Sequence, residues 1–256
     1  MAQPRKREGV MLCYDYDEQR LLRWPTPWYV QPKLEGDRCR AVRHDDEWIL
    51  YSSTGLVRTS VPHINSCLNE RLAGTHYLEL DGELYTHGMP HEMIRSIVSR
   101  TINLHEAYHT VQYHIFDVID ERTQQERRED LHHLWWKVFK DGDAVEVVPT
   151  VLCSDLEAVH RTYEHFLNQG YEGIIIRNPQ GRYKRSRSTD IMKLKPRNEL
   201  TAVGVGMVEE KTIDGTPKQR MGALVCRHPE AANDFEVGTG FTHEERLRFW
   251  EHPEEV

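Results

Sequence analysis

The chain has 256 residues, which is enough for one large domain or for one large and one small domain. Hydrophobic residues make up 38% and charged residues 29%, and no stretch approaches the roughly 18 apolar residues of a membrane span, which excludes a membrane protein. The basic residues Arg5–Arg7 have no apolar segment behind them, which argues against a secretory signal. We therefore expect a cytoplasmic protein whose five scattered cysteines are reduced thiols.

The net charge of −8 argues against a protein coated in nucleic acid, but the charge is unevenly distributed. Seven basic residues lie between Arg182 and Arg197, against Asp190 alone, so this segment has a local charge of +6. Such a segment is typical of an ordinary solvated face or of a local contact with a polyanion, and both interpretations stay open.

The first half of the chain combines predicted strands with short helices. Alternation of apolar and polar residues predicts strands over 29–42, 48–51, 77–85 and 111–119, and helical spacing predicts helices over 63–72, 93–102 and 130–139. In the strand over 77–85, the leucines at 78, 80 and 84 share one face, and Glu79, Asp81 and Glu83 share the other. We expect three carboxylates to line one surface of this strand.

The second half begins with a helix that Ser154 and Glu157 are predicted to cap and that Gly170 ends. A strand, EGIIIRN, follows, and a later strand over 192–195 directs Lys193 and Lys195 to one face. After Pro196, short strands separated by turns predict a small β-barrel, followed by a helix capped at Thr242 with Glu245. We expect an α+β domain over residues 1–198 and a β-barrel domain over 199–256.

One histidine motif has the spacing of a zinc site. His105 and His109 fit the H-E-x-x-H pattern, which requires a helix long enough to present both imidazoles on one face. A strand is predicted to begin at Val111, which leaves about one helical turn. We therefore predict a surface turn here and no zinc.

The strongest chemical signal is the segment Lys33–Arg38, KLEGDR. A lysine between two strands, followed by a glycine that lets backbone approach a ligand, is a plausible nucleophile when its pKa is lowered. Further segments follow in order along the chain: LDGEL at 80–84, FDV at 116–118, EGIIIR at 172–177 and MKLKP at 192–196.

This ordered series resembles the covalent nucleotidyltransferase superfamily of ATP-dependent DNA ligases, RNA ligases and mRNA capping enzymes. The tail, MGALVCRH to FEVGTGFTHEERLRFW, is similar to the oligonucleotide-binding (OB) domain of DNA ligases, and the nearest resemblance is to the minimal two-domain ligases of bacteria and their phages. The resemblance implies an ATP-grasp-like adenylation domain followed by an OB-fold domain. It also implies a monomer in the cytoplasm of a bacterium or a phage-infected cell, with roles in DNA repair, replication or recombination.

The resemblance implies a role for each matching residue. Lys33 would attack the α-phosphate of ATP and carry AMP as a phosphoramidate. The expected nucleotide contacts are Gln31 with adenine, Arg38 with the ribose or the nick phosphate, Glu83 with the ribose hydroxyl or a metal, Phe116 stacked on adenine, and Lys193 and Lys195 with the α-phosphate. Glu172, with Glu83, would hold Mg²⁺ or Mn²⁺, which suits carboxylates on strand faces beside phosphate oxygens.

The sequence departs from the family pattern at three points. Glu35 stands where the family has aspartate, Thr54 stands where it commonly has arginine, and the basic motif that closes the barrel domain is not recognisable. The function predicted from the resemblance is sealing of nicks in duplex DNA. An RNA ligase or GTP-using capping enzyme of the same superfamily, and a non-catalytic duplex-binding relative, remain the alternatives.

Overall fold

The computed structural model describes residues 9–140, 142–196, 200–229 and 232–255. The chain divides into two compact units, unit 1 over Met1–Pro196 and unit 2 over Arg197–Val256. The predicted domain boundary, between residues 198 and 199, lies outside the described residues. None of the described helices is long and apolar enough to cross a lipid bilayer.

The described part of unit 1 contains eleven strands and five α-helices. In chain order they are β1 (Leu12–Asp15), β2 (Trp28–Lys33), β3 (Asp37–His44), β4 (Glu47–Ser52), β5 (Val57–Arg58), β6 (Glu79–Tyr85), β7 (Gln112–Val118), β8 (Val145–Val147), β9 (Val151–Cys153), β10 (Gly173–Arg177) and β11 (Arg187–Leu194). The helices are α1 (Glu18–Leu21), α2 (Pro62–Arg71), α3 (His91–Val98), α4 (Gln124–His133) and α5 (Leu156–Asn168). A 3-10 turn spans Tyr108–Thr110, and a π-helical turn, Leu134–Val138, extends α4.

These strands form two sheets. The first has five strands in the order β1-β11-β10-β2-β9, and the second has six in the order β5-β4-β3-β6-β7-β8. Neighbouring strands are antiparallel except for the parallel pairs β1–β11 and β7–β8. The mixture of sheets and helices confirms the predicted α+β class.

Each sheet of unit 1 has its own apolar core on one face. The first sheet packs residues such as Val30 and Ile176 against Phe166 of α5. The second packs residues such as Leu80 against α2 and α3. Because side chains alternate along a strand, the polar residues of both sheets lie on the opposite faces. A hydrogen bond from Gln31 Nε2 to the Phe116 carbonyl joins those two polar faces at 3.2 Å, which locates a cleft between the sheets.

Two predicted helices have different bounds in the structure. The helix expected over 93–102 is α3, which ends at Val98, where the Val98 carbonyl accepts hydrogen bonds from Arg58 and Ser60 instead of continuing the helix. The helix expected over 130–139 begins earlier, as α4, with a capping box between Thr123 and Glu126. Its first turns carry no apolar stripe, so the helical period becomes visible only from Leu131.

Two smaller predictions were also wrong. The cap of α5 is Asp155, not Ser154, because the Asp155 side chain accepts a hydrogen bond from the backbone amide of Ala158 at 2.7 Å. Leu78 lies just before β6 and is 69% exposed, whereas Leu80 and Leu84 are fully buried as expected.

Unit 2 is a three-stranded antiparallel sheet with one helix. Its elements are β12 (Val203–Lys211), β13 (Pro217–Arg227), β14 (Phe235–Val237), α6 (His243–Glu251) and a 3-10 turn (Pro253–Glu255). The predicted cap of α6, Thr242 with Glu245, is confirmed. The predicted small β-barrel is not seen in the described residues, which contain a sheet of three strands where an OB barrel has about five.

Candidate active site

Lys33 is the last residue of β2, on the polar face that also carries Gln31. The chain then turns through Gly36 into β3, and Gly36 passes directly over β6. A Cβ at position 36 would lie 2.3 Å from the Leu84 carbonyl oxygen and 2.7 Å from Glu83 Cγ. Only glycine fits this approach, which brings the loop after Lys33 against Glu83.

Glu172 links two of the predicted lysines. Its carboxylate accepts hydrogen bonds from Lys33 Nζ and, at 2.8 Å, from Lys195 Nζ. Its backbone amide donates to the Lys33 carbonyl at 3.2 Å, and the next residue, Gly173, has no room for a Cβ beside the Leu194 carbonyl oxygen, 2.2 Å away. Burial opposes ionisation of Glu172, but the hydrogen bonds from Lys195 and Lys33 outweigh it and lower the pKa of Glu172.

The paired lysines of the predicted cationic face separate in the structure. Lys195 reaches Glu172, whereas Lys193 Nζ pairs with Asp15 of β1 at 3.1 Å. The structure therefore brings Lys195 to the nucleophile candidate and holds Lys193 at a neighbouring carboxylate.

The three carboxylates of β6 share one face, as predicted, but have different environments. Glu79 pairs with Arg40 and Arg185. Asp81 is fully buried and accepts hydrogen bonds from Arg38 Nε at 3.0 Å and from Arg38 Nη2 at 2.5 Å. Although burial opposes the charge of Arg38, the Asp81 carboxylate outweighs it and raises the pKa of Arg38.

Glu83 is the carboxylate of β6 that is available to a ligand. It lies across the strand pair from Arg38 on one side and His114 on the other. Within the described part of the chain, its carboxylate has no hydrogen-bond partner and no ion pair at contact distance. Burial raises the pKa of Glu83 to about 8, and the nearby charges of Arg38 and Lys33 only partly oppose this. Such a carboxyl group gains from a cation or a hydroxyl donor placed beside it.

Phe116 and Gln31 meet on the wall of the cleft. The Phe116 ring has two guanidinium groups over it, with Arg38 Cζ 5.0 Å and Arg177 Cζ 5.5 Å from the ring centroid. Gln31 is only 2% exposed and bonds to the Phe116 carbonyl, Thr150 and Arg177. The structure thus brings together all the predicted nucleotide contacts except Lys193.

Sequence patterns did not predict several residues that support this site. Tyr183 donates to Asp81 at 2.5 Å, and Arg177 pairs with the fully buried Asp117 at 2.7 Å. These partners are 102 and 60 residues apart in the chain. Only their position in the chain could have indicated these residues, because Asp81, Asp117 and Arg177 all lie inside the motif segments.

The basic segment from Arg182 to Arg197 is not a free cationic surface. Its described side chains bond within the protein: Arg182 to the Glu121 carbonyl, Lys184 to Asp190, Arg185 to Glu79, Arg187 to the Cys13 carbonyl, Lys193 to Asp15 and Lys195 to Glu172. Arg197 lies outside the described residues. We therefore expect a contact with a polyanion at the lysines of the cleft and not along the whole basic segment.

The side chains of the site can be compared with the ligands that a metal ion requires. Across the described ranges, no three His, Cys, Asp or Glu side chains cluster as a metal site, and the segment from His105 to His109 ends in the 3-10 turn Tyr108–Thr110, as expected for a surface turn. Mg²⁺ needs fewer protein ligands than such a cluster provides, because it usually binds one or two carboxylates together with water and substrate phosphates. The unpaired carboxylate of Glu83 fits such an ion, and Glu172 fits as a second carboxylate that its lysines already orient.

Comparisons with known proteins support one family. The sequence profile of the ATP dependent DNA ligase domain matches residues 10–195. A DNA ligase of Haemophilus influenzae is 27% identical over 179 residues, which cover 65% of this chain and 59% of that protein. A DNA ligase of African swine fever virus (isolate Pig/Kenya/KEN-50/1950) is 27% identical over 211 residues, which cover 78% of this chain and 48% of that protein. The chain therefore spans less than two thirds of the length of these relatives.

The fold is shared with a solved structure of the Lig E DNA ligases. The two superpose with a TM-score of 0.75 at 23% identity, over 94% of this chain and 87% of the other. At this identity the superposition establishes the fold alone, whereas the profile match covers most of the chain. The protein belongs to the ATP-dependent DNA ligase family.

Proposed function

We propose that this protein seals nicks between a 3′-hydroxyl and a 5′-phosphate in duplex DNA, using ATP and a covalent lysine-AMP intermediate on Lys33. The observation that carries the proposal is the cluster of Lys33, Glu172 and Lys195 beside the unpaired carboxylate of Glu83. A structural lysine would need neither the second lysine nor a close-packed Gly36 that presses its loop onto Glu83.

The first step forms a bond between Lys33 Nζ and the α-phosphorus of ATP and breaks the bond from that phosphorus to the bridging oxygen, so pyrophosphate leaves. Lys33 must lose a proton to attack, and Glu172 holds its Nζ in place until then. Lys195 contributes positive charge beside the reacting phosphate, and Lys193 contributes it when it leaves Asp15.

The second step passes AMP from Lys33 to the 5′-phosphate of the nick. In the third step the 3′-hydroxyl attacks that phosphate, and AMP leaves. Arg38, held by Asp81, contacts the ribose or the nick phosphate, and Phe116 stacks on the adenine. Glu83 and Glu172 would hold Mg²⁺ or Mn²⁺, which neutralises charge on phosphate oxygens when it is bound.

We further propose that unit 2 is an oligonucleotide-binding domain that clamps the duplex, and that the protein works as a cytoplasmic monomer. Lys218 and Arg220 pair with Glu210, and Arg227 pairs with Asp234, so these cations must exchange partners to contact phosphates. A protein shortened to residues 1–200 should form the lysine-AMP adduct but bind nicked duplex weakly, with a shallower salt dependence. Undiminished nick binding by this fragment would contradict the role of unit 2.

The test of the proposed function is sealing of a labelled, nicked duplex with ATP and Mg²⁺. Glu172→Gln should reduce sealing by orders of magnitude, because it removes a metal ligand and the partner that positions Lys33. Glu164→Gln, on the exposed side of α5, is the matched control and should seal at the wild-type rate. Sealing of an RNA nick only, or equal rates in both variants, would contradict the proposal.

A further inference from the structure

The side-chain amide of Gln31 has almost all of its hydrogen-bonding capacity engaged. Its Nε2 donates to the Phe116 carbonyl at 3.2 Å and to Thr150 Oγ1 at 3.1 Å. Its Oε1 accepts from Arg177 Nε at 2.8 Å. A primary amide has two N–H donors and an oxygen with two lone pairs. The capacity that remains is therefore one lone pair on Oε1.

The orientation of this amide is set by partners that cannot change roles. A guanidinium group can only donate, and a backbone carbonyl can only accept. If the Gln31 amide turned over, its NH₂ group would face Arg177 and its oxygen would face the Phe116 carbonyl. A donor would then face a donor at Arg177, and an acceptor would face an acceptor at Phe116. Such unpaired polar groups cost most free energy when they are buried.

Arg177 is itself held firmly. It is 3% exposed, and its Nη1 donates to Asp117 Oδ2 at 2.7 Å and to Gln124 Oε1 at 3.1 Å. Asp117 is fully buried and also pairs with Arg127 at 2.8 Å. Arg177 therefore cannot swing away from Gln31 without leaving a buried carboxylate partly unpaired.

We propose that Arg177 is a positioning residue that sets the base selectivity of the nucleotide pocket by locking the orientation of Gln31. This inference rests on the proposed function only in taking Phe116 and Gln31 as the wall that meets the base. With both N–H groups engaged, Gln31 can meet a base only as an acceptor. A purine with a 6-amino group satisfies it, and a purine with a 6-oxo group places a second acceptor against it.

The test compares ATP with ITP, whose base carries an oxygen in place of the 6-amino group. Binding is measured by calorimetry in EDTA, so no covalent step is needed. The wild-type protein should bind ATP at least about 10-fold more tightly than ITP, because a buried unpaired acceptor costs on the order of one hydrogen bond. Arg177→Met removes one of the two partners that fix the amide, because only the Phe116 carbonyl then opposes its turning over, and should reduce this ratio to about 1 to 3.

Arg127→Met is the matched control. Both arginines are buried partners of Asp117, but in the structure only Arg177 of the two bonds to Gln31. The control should lose stability to a similar extent and keep the wild-type ratio. Arg177→Lys, which retains a donor, should recover part of the selectivity.

If Arg177→Met does not fold, Arg177→Lys remains the test of the positioning role, and Gln31→Glu and Gln31→Met test the acceptor role of Gln31 on which the inference depends. Glutamate offers only acceptors and should keep the preference for ATP, whereas methionine should lose it. An unchanged ratio in Arg177→Met or Gln31→Met, or equal binding of ATP and ITP by the wild type, would overturn the inference. A protein that shows the predicted ratios but forms no lysine-AMP adduct would contradict the proposed function alone.

Discussion

The innermost ion pairs of unit 1 and the pair of Arg227 with Asp234 in unit 2 differ in how far they are exposed to solvent. In unit 1, Asp81 and Asp117 are fully buried, and each binds arginine through two or more hydrogen bonds. In unit 2, the pair of Arg227 with Asp234 is largely open to solvent, with the arginine side chain 63% exposed. Buried pairs hold their groups at fixed positions, whereas exposed pairs exchange partners readily. The buried pairs of unit 1 are therefore suited to positioning nearby groups, and the exposed pair of unit 2 can exchange partners.

Removing one carboxylate from each unit tests the effect of burial most directly. Asp117→Asn leaves Arg127 and Arg177 buried beside a weaker partner, and should lower the free energy of unfolding by about 3 to 5 kcal/mol. Asp234→Asn in unit 2 should produce no measurable change. Urea unfolding of both variants checks this, and equal losses would show that burial is not what separates the two units.

A second pair of variants tests the close approach in the nucleophile loop. Gly36→Ala places a methyl group 2.3 Å from the Leu84 carbonyl oxygen, so the loop must move. We expect a loss of about 2 kcal/mol in stability and, because Lys33 is displaced, a loss of at least about 100-fold in the rate of adduct formation. Gly206→Ala in β12 is the control, because its Cβ would meet nothing closer than 3.9 Å. If both variants formed the adduct at the wild-type rate, close packing at Gly36 would have no role in positioning Lys33.

The third prediction concerns Glu83 and pH. Burial raises its pKa to about 8, so the folded protein binds this proton more tightly than the unfolded chain does. The contribution of Glu83 to stability is then fully present below the ordinary glutamate pKa and is lost as the pH rises towards 8. Glu83→Gln cannot ionise, so it should be more stable than the wild type at pH 8.5, by on the order of 1 to 3 kcal/mol. A stability difference that is the same at pH 5 and pH 8.5 would contradict the raised pKa.

The sequence was informative where the site depends on local geometry. Short-range patterns indicate the strand end of Lys33, the turn at Gly36 and the strand face of Glu83, and the structure places these residues together. The supporting network was not predictable, because it depends on contacts between distant segments. Gln31 and Arg177, for example, are 146 residues apart.

Helix α4 also shows where prediction from the sequence fails. Its first turn is polar, so the sequence pattern placed the helix start at residue 130, six residues later than the structure does. Yet Gln124 and Arg127 from this part of the helix are buried, because they serve the network around Asp117. Hydrophobic periodicity cannot detect a polar helix face that is buried for its hydrogen bonds.

The most direct test of Lys33 as the nucleophile is the intact mass of the protein after incubation with ATP and Mg²⁺, followed by peptide mapping. We expect one added AMP, located on Lys33, and none in Lys33→Ala. Lys137→Ala, at an exposed position in the π-helical turn after α4, serves as a control and should be modified to the wild-type extent. An adduct that persists in Lys33→Ala, or a wild-type protein that takes GMP from GTP but no AMP from ATP, would contradict the proposed ATP-dependent nucleophile.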